Sequence, residues 1–194
     1  MPTTLVLVRH GETDWNRENR FQGHADPPLN DTGRGQARAL ADDLRGGHYA
    51  AVYTSPLHRA SETAVILASE LGFEPVADEA LKEVDVGSWS GLTRDQVESR
   101  FPDGYLRWLE YGYGWDDGET YDELGERVVS GLLEIAARHP DTHVLAVTHG
   151  GPIRSALAAA DGVPFEEARQ SIRVIGNCAI VRVAARGGKL ARAD

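Results

Sequence analysis

Apolar positions along this chain fall into two alternating kinds of run. Thr4 to Val8 is short and almost wholly apolar, the pattern of a strand buried on both faces. Ala50 to Tyr53 and Val144 to Thr148 repeat it, Glu74 to Ala77 predicts a short strand, and Cys178 to Ala184 a final one. Ile172 to Ile175 reads as one strand more. Between these runs the period becomes helical. Asp31-Thr32-Gly33 opens a helix through Ala37, Leu40, Ala41 and Leu44, which Gly46-Gly47 ends. Leu57 to Leu71 carries Ala60, Ala64, Leu67 and Leu71 on one face, and Gly72 closes it. Thr120 to Arg138 predicts a long helix stopped by His139-Pro140, and Pro152 to Ala160 a shorter one. Weaker helices fall at Arg94–Phe101 and Asp103–Glu110.

Strands alternating with helices predict an α/β fold: a mostly parallel sheet with helices on both faces, its last strand antiparallel beyond Gly176-Asn177. The 194 residues contain no repeat, low-complexity tract or linker, so one domain over residues 1–194 is expected. No apolar run approaches the ~18 residues of a spanning helix. Met1-Pro2-Thr3-Thr4 lacks a leader's basic region, and the single Cys178 permits neither an internal disulfide nor a cysteine-based zinc site. Cytoplasmic residence is the expectation.

Twenty basic and 30 acidic residues give a net charge of −10. Such a surface repels nucleic acid and anionic membranes, so neither is an expected partner. A small anion is still accessible to a locally positive pocket. The chemistry that would build one stands at three strand ends: Arg9-His10-Gly11-Glu12-Thr13, Thr54-Ser55-Pro56 and Thr148-His149-Gly150-Gly151. Ligands of open α/β sheets bind beyond the carboxyl ends of strands. One strand-end histidine usually just bonds nearby backbone, but two His-Gly ends at one sheet edge, with Arg9 and Arg59 beside them, suit a tetrahedral dianion.

These residues form a longer ordered pattern. Leu7-Val8-Arg9-His10-Gly11-Glu12-Thr13-Asp14-Trp15-Asn16 is followed by Arg20-Phe21-Gln22-Gly23, Pro28-Leu29-Asn30 and Gly33-x-x-Gln36-Ala37. Thr54-Ser55-Pro56-Leu57-x-Arg59, Leu81-x-Glu83, Gly87-x-Trp89-x-Gly91, Gly118-Glu119-Thr120 and Val147-x-His149-Gly150-Gly151 continue it. The chain thereby resembles the histidine phosphatase superfamily, in its phosphoglycerate-mutase-like branch, from Leu5 to about Arg154. The resemblance implies a metal-independent phosphomonoesterase that needs no cofactor and acts on a small phosphorylated metabolite. It makes His10 the nucleophile that becomes a phosphohistidine, with Arg9, Arg59 and His149 stabilising charge on phosphorus oxygens. Asn16, Gln22, Gly23 and Gly150 would assist in the phosphate loop. Glu83 would be the proton donor, a role for which spacing alone equally admits Asp85; Glu12 has no assigned chemistry.

The family contains hydrolases and mutases. This chain lacks the insertion and paired arginines that the resemblance associates with mutases, since aromatics separate Arg100 from Arg107. Hydrolysis is therefore expected, with a phosphoglycerate-type mutase or a silent phosphate- or protein-binding member as alternatives. A monomer or homodimer suits either. Six aromatics crowd into Phe101 to Trp115, within a cap segment at about 93–119, and serve either as helix-packing faces or as a mouth over the phosphate pocket. His24, His48 and His58 have no evident carboxylate context in the sequence, and His139-x-x-x-His143 and Asp116-Asp117-x-Glu119 read as solvated loops. Gly187-Gly188-Lys189 is not a phosphate-binding loop, and Cys178 reads as a small core residue on the last strand.

Overall fold

A computed structural model describes residues 2–172 and 174–193. Six strands, β1 (Thr3–Arg9), β2 (Ala51–Thr54), β3 (Val76–Ala77), β4 (His143–Thr148), β5 (Ile180–Arg186) and β6 (Lys189–Arg192), form one sheet in the order β3-β2-β4-β1-β5-β6. β1, β2, β3 and β4 pair in parallel, while β5 runs against both of its neighbours, β1 and β6. Only β5 is reversed, as the sequence led us to expect.

The helices are α1 (Asp14–Arg17), α2 (Asp31–Leu44), α3 (His58–Leu71), α4 (Arg94–Arg100), α5 (Pro102–Leu109), α6 (Tyr121–Arg138), α7 (Gly150–Asp161) and α8 (Phe165–Ser171). Their ends are set by local side chains. Asn30 caps α2 by accepting from the Gly33 amide, Thr93 and Thr120 form reciprocal capping boxes with Gln96 and Glu123, and Gly72 and Gly162 close α3 and α7 in the left-handed conformation. No helix among the described residues is long and apolar enough to cross a membrane.

Alternation along the strands divides the core into two layers. Leu5, Leu7, Tyr53, Val144 and Ala146 pack with α6 and α7, whereas Val6, Val8, Val52, Leu145 and Val147 pack with α2 and α3. The connection that leaves β1 therefore runs over one face through α2, and the one that leaves β4 runs over the other through α7. Between adjacent strands whose continuations depart on opposite faces, a crevice opens at the carboxyl edge.

Several expectations require correction. Cys178 precedes β5 in a turn, with φ 56°, and donates its amide to the Arg9 carbonyl, so it is not a strand residue. No strand forms over the described part of Ile172–Ile175, where Val174 is 82% exposed; Arg173 lies outside the described residues. The last strand is β6, joined to β5 by Gly187 and Gly188 at φ 58° and 74°, the two positive angles that a tight hairpin between twisted strands requires. α1, at four residues, is too short to show a helical period, and α8 (Phe165–Ser171) was not anticipated.

The loop after β1 is pressed onto α2. A Cβ on Gly33 would lie 2.2 Å from the Glu12 carbonyl oxygen and 2.6 Å from its nitrogen, both backbone atoms that no rotamer change can move. Gly33→Ala should therefore push the His10 loop off α2, destabilising the chain by about 2 kcal/mol or more in urea titrations. An unchanged midpoint would show that the loop is not locked there.

Candidate active site

β1 ends at Arg9 with His10 next in line; β4 ends at Thr148, and His149 then caps α7. Arg9 is level with Thr148 in the parallel pairing, so both histidines leave the sheet together. The His10 amide donates to the Thr148 carbonyl at 2.9 Å, and the two rings stand 5.1 Å apart, centroid to centroid.

His10 is buried, with Nδ1 2.7 Å from the Gly11 carbonyl. A carbonyl only accepts, so this bond keeps the proton on Nδ1 and the lone pair on Nε2. Burial, and then the charges of Arg59 and Arg9, hold His10 well below the ordinary histidine range, which leaves it neutral at physiological pH. Burial and Arg59 depress His149 in the same way. His149 Nε2 pairs with Ser55 Oγ at 2.8 Å.

A cavity of about 550 Å³ opens over His10. Among the described residues, Arg9, Arg20, Arg59, Arg94, Arg154 and Arg169 line it, against a single carboxylate, Glu83. Positive charge is thus concentrated here on a chain of net −10. Asn16, Gln22, Gly23 and Gly150 also reach its surface, while His149 stands one layer back without lining it. The Asn16 side-chain oxygen accepts from Thr13 and Asn177, and that of Gln22 from Thr13, while neither amide NH2 group has a partner among the described residues.

Six buried side-chain nitrogens or oxygens lack a partner among the described residues; four of them are Arg9 Nε, Arg59 Nε, His149 Nδ1 and Arg154 Nε. Buried donors are ordinarily satisfied, so such a concentration marks a place built for an acceptor from outside. Arg59 comes from the first turn of α3. It donates to the carbonyls of Ala25 at 2.8 Å and Gly23 at 2.9 Å, fixing the Gln22-Gly23 loop beside His10. Burial pushes the Arg59 guanidinium down to about 10, which still leaves it charged at neutral pH. Thr63, one turn further on, accepts from the Gly11 amide at 3.0 Å.

The carboxylates, equivalent by spacing, separate in space. Glu83 lines the cavity and accepts from the Gly151 amide at 3.1 Å, at the start of α7. A Cβ on Gly151 would meet Glu83 Oε1 and displace that side chain from its present position. Asp85 does not reach the cavity; it accepts from the Gly87 amide and faces His24 at 3.7 Å. Glu12 also stays outside and accepts from Asn30.

Several supports were not visible in the sequence. Arg127 of α6 donates to the carbonyls of Ala80 and Lys82 and pairs with Glu119 at 2.7 Å, clamping the segment that carries Glu83. His24, expected to lack acidic neighbours, lies beside Asp85 and bonds the Glu83 carbonyl at 2.8 Å; His58, likewise, faces Glu62 at 4.0 Å. Asp116, Asp117 and Glu119 each have a protein partner, in Arg107, Ser88 and Arg127. His139 caps α6 and pairs with Tyr53, and no metal-binding cluster occurs among the described residues. Of the crowded aromatics, Trp108, Tyr111 and Trp115 line the cavity, joined by Phe21, Tyr121 and Phe165 from elsewhere. Both readings of that segment are therefore met in part, since Trp115 is also buried in the core.

An α/β sheet with paired imidazoles and guanidiniums at a switch-point crevice is suited to phosphoryl transfer. The model of the histidine phosphatase superfamily, branch 1, matches residues 5–192, and the chain belongs to that family. It is 35% identical over 165 residues to phosphoserine phosphatase 1 of Hydrogenobacter thermophilus, spanning 84% of this chain and 78% of that protein. Its fold matches Bacillus stearothermophilus YhfR with a TM-score of 0.91 at 33% identity, covering 98% and 95% of the two chains. A mycobacterial glucosyl-3-phosphoglycerate phosphatase in complex with VO3 matches at 0.88 and 31%, covering 98% and 96%. The chain is accordingly an enzyme, a phosphomonoesterase of this family.

Two buried neutral imidazoles have a consequence for stability. On unfolding, each is free to take up a proton below pH ~6.5, while the folded pair resists protonation. Their contribution is complete above that pH and is lost as pH falls, by up to about 1.4 kcal/mol per unit for each histidine. Urea midpoints should decline between pH 7.5 and 5.5, and His149→Asn should flatten the decline by about half. A slope unaltered by that substitution would assign the effect to other groups.

Proposed function

We propose that this enzyme hydrolyses small phosphorylated metabolites in two steps through a phosphohistidine on His10. The observation that carries the reading is the buried, neutral His10, its Nδ1 proton bound to Gly11 and its Nε2 free, among guanidiniums with unsatisfied donors.

In the first step the Nε2 lone pair attacks phosphorus as the ester P–O bond breaks, and Glu83 gives its proton to the departing alcohol oxygen. Arg9 and Arg59 hold the transferring oxygens, His149 adds a donor behind them, and the Asn16 and Gln22 amides complete the cradle. Gly23 and Gly150 line the cavity beside them. These groups act chiefly by position and charge, since a loose phosphoryl transition state asks little else of a protein. In the second step Glu83 takes a proton from water, the water oxygen bonds phosphorus, and the Nε2–P bond breaks to release phosphate. Trp108, Tyr111 and Trp115, in a cap over residues 93–119, then meet the organic part of the ester. Cytoplasmic residence is part of the same reading, supported by a chain with a single cysteine.

His10→Ala should abolish turnover and remove the acid-labile, base-stable phosphate label formed from a radiolabelled ester. Near-normal activity in that variant would overturn the nucleophile assignment.

Glu83→Gln separates the proton donor from a positioning group. An alkyl phosphate needs the proton as its bond breaks, whereas p-nitrophenolate leaves without it. Pre-steady-state phosphoryl transfer should fall by about 10²–10⁴-fold for the alkyl ester and much less for the aryl ester. Equal losses would make Glu83 a positioning residue only.

A further inference from the structure

Glu83 rises from residues 82–86, a stretch with neither helix nor strand to fix its height. Two side chains meet on its backbone carbonyl. Arg127 reaches that oxygen at 3.4 Å from α6, and His24 reaches it at 2.8 Å from the loop between α1 and α2. Arg127 also holds the Ala80 and Lys82 carbonyls, so it braces the whole segment. His24 comes from a different quarter, the loop that brings Gln22 and Gly23 to the cavity.

That loop is itself anchored on Arg59. The carbonyls on either side of His24, those of Gly23 and Ala25, both accept from the Arg59 guanidinium, and the Ala25 amide turns back to the Gln22 carbonyl at 3.0 Å. Gly23 has φ 51°, and a Cβ there would lie 2.6 Å from Val86 Cγ2 and 3.0 Å from the Val86 nitrogen. The loop therefore lies directly on the segment that carries Glu83. Among the described residues, His24 alone of the side chains from Gln22 to Ala25 bonds across that contact. A carbonyl only accepts, so His24 donates from Nε2. Its Nδ1 faces Asp85 Oδ2 at 3.7 Å, and Asp85 is held by the Gly87 amide at 3.0 Å. The ring is thus placed from both ends.

Resting on the reading of Glu83 as proton donor, we infer that His24 is a positioning residue that ties Glu83 to the phosphate loop. Arg59 holds the phosphate oxygens and the loop at once, and His24 carries that reference on to the acid. Phosphorus and the proton for the departing oxygen are then kept at one distance. A general acid works only within hydrogen-bond reach of its target, and a displacement of about 1 Å can cost on the order of 10²-fold.

Pre-steady-state phosphoryl transfer from an alkyl phosphate and from p-nitrophenyl phosphate tests the tie, with vanadate inhibition reporting on the phosphate loop. His24→Ala should slow the alkyl ester by about 10–100-fold, while the aryl ester and the vanadate constant stay within about threefold. His24→Gln keeps a donor where Nε2 stands but not the charge, which His149 would feel. It should return the alkyl rate to within about threefold of the parent. In a Glu83→Gln background, His24→Ala should cost nothing more, as for two groups that act as a unit. Equal losses for both esters with weakened vanadate binding would make His24 a support of the loop alone and overturn the inference. So would an undiminished alkyl rate, a Gln variant as slow as the Ala variant, or an added loss in the Glu83→Gln background; each leaves the phosphatase reading intact. A Glu83→Gln enzyme that transfers the alkyl phosphoryl group at the parent rate would instead overturn the proton-donor reading, and this tie with it.

Discussion

The register between β1 and β4 is the constraint on which the site depends. With Arg9 level with Thr148 and the His10 amide bonded to the Thr148 carbonyl, two chain segments far apart in sequence end at the same height. Parallel strands can do this only through long crossovers, here by way of α2, α3 and α6. Slipping that register by one residue would turn both layers of the core inside out, so the apolar alternation of the strands and the spacing of the imidazoles are enforced together. Catalytic geometry is thus fixed by the most buried part of the molecule.

Around that frame, the protein sets desolvation against charge. Burying Arg9, Arg59, His10 and His149 within one crevice is unfavourable in itself, because few counter-charges accompany them. Backbone carbonyls carry part of the load: Gly11 for His10, Gly23 and Ala25 for Arg59, Ile175 for Arg9. These bonds orient each group without neutralising it. Preorganisation of this kind leaves attraction in reserve for an anion that brings its own charge, and burial keeps His10 in the neutral form that its proposed role as nucleophile requires.

Glu83 illustrates how the surroundings choose between equivalent residues. Glu83 and Asp85 sit two positions apart on an irregular segment with no period to orient them. Arg127 grips the carbonyls upstream, Asp85 turns back to the Gly87 amide, and the missing Cβ of Gly151 leaves Glu83 room at the helix start. The selection is made by α6 and α7, neither of which is near in sequence.

The sequence by itself determined the α/β class, the long helices with their caps, and the strand-end motifs that carry His10, Arg9, Arg59 and His149. Those features follow from local rules: period, capping chemistry, and the tendency of such sheets to bind at carboxyl edges. Only the tertiary structure decided which carboxylate enters the cavity, that Arg94, Arg154 and Arg169 join it, and that Tyr121 and Phe165 share its wall with Trp108. It also decided that Cys178 is a turn residue and that Gly187-Gly188 makes a hairpin. Single arginines and aromatics on irregular segments have no period to reveal their direction. Where they point is set by the elements that pack against them, and packing of that range leaves no mark on a local stretch of sequence.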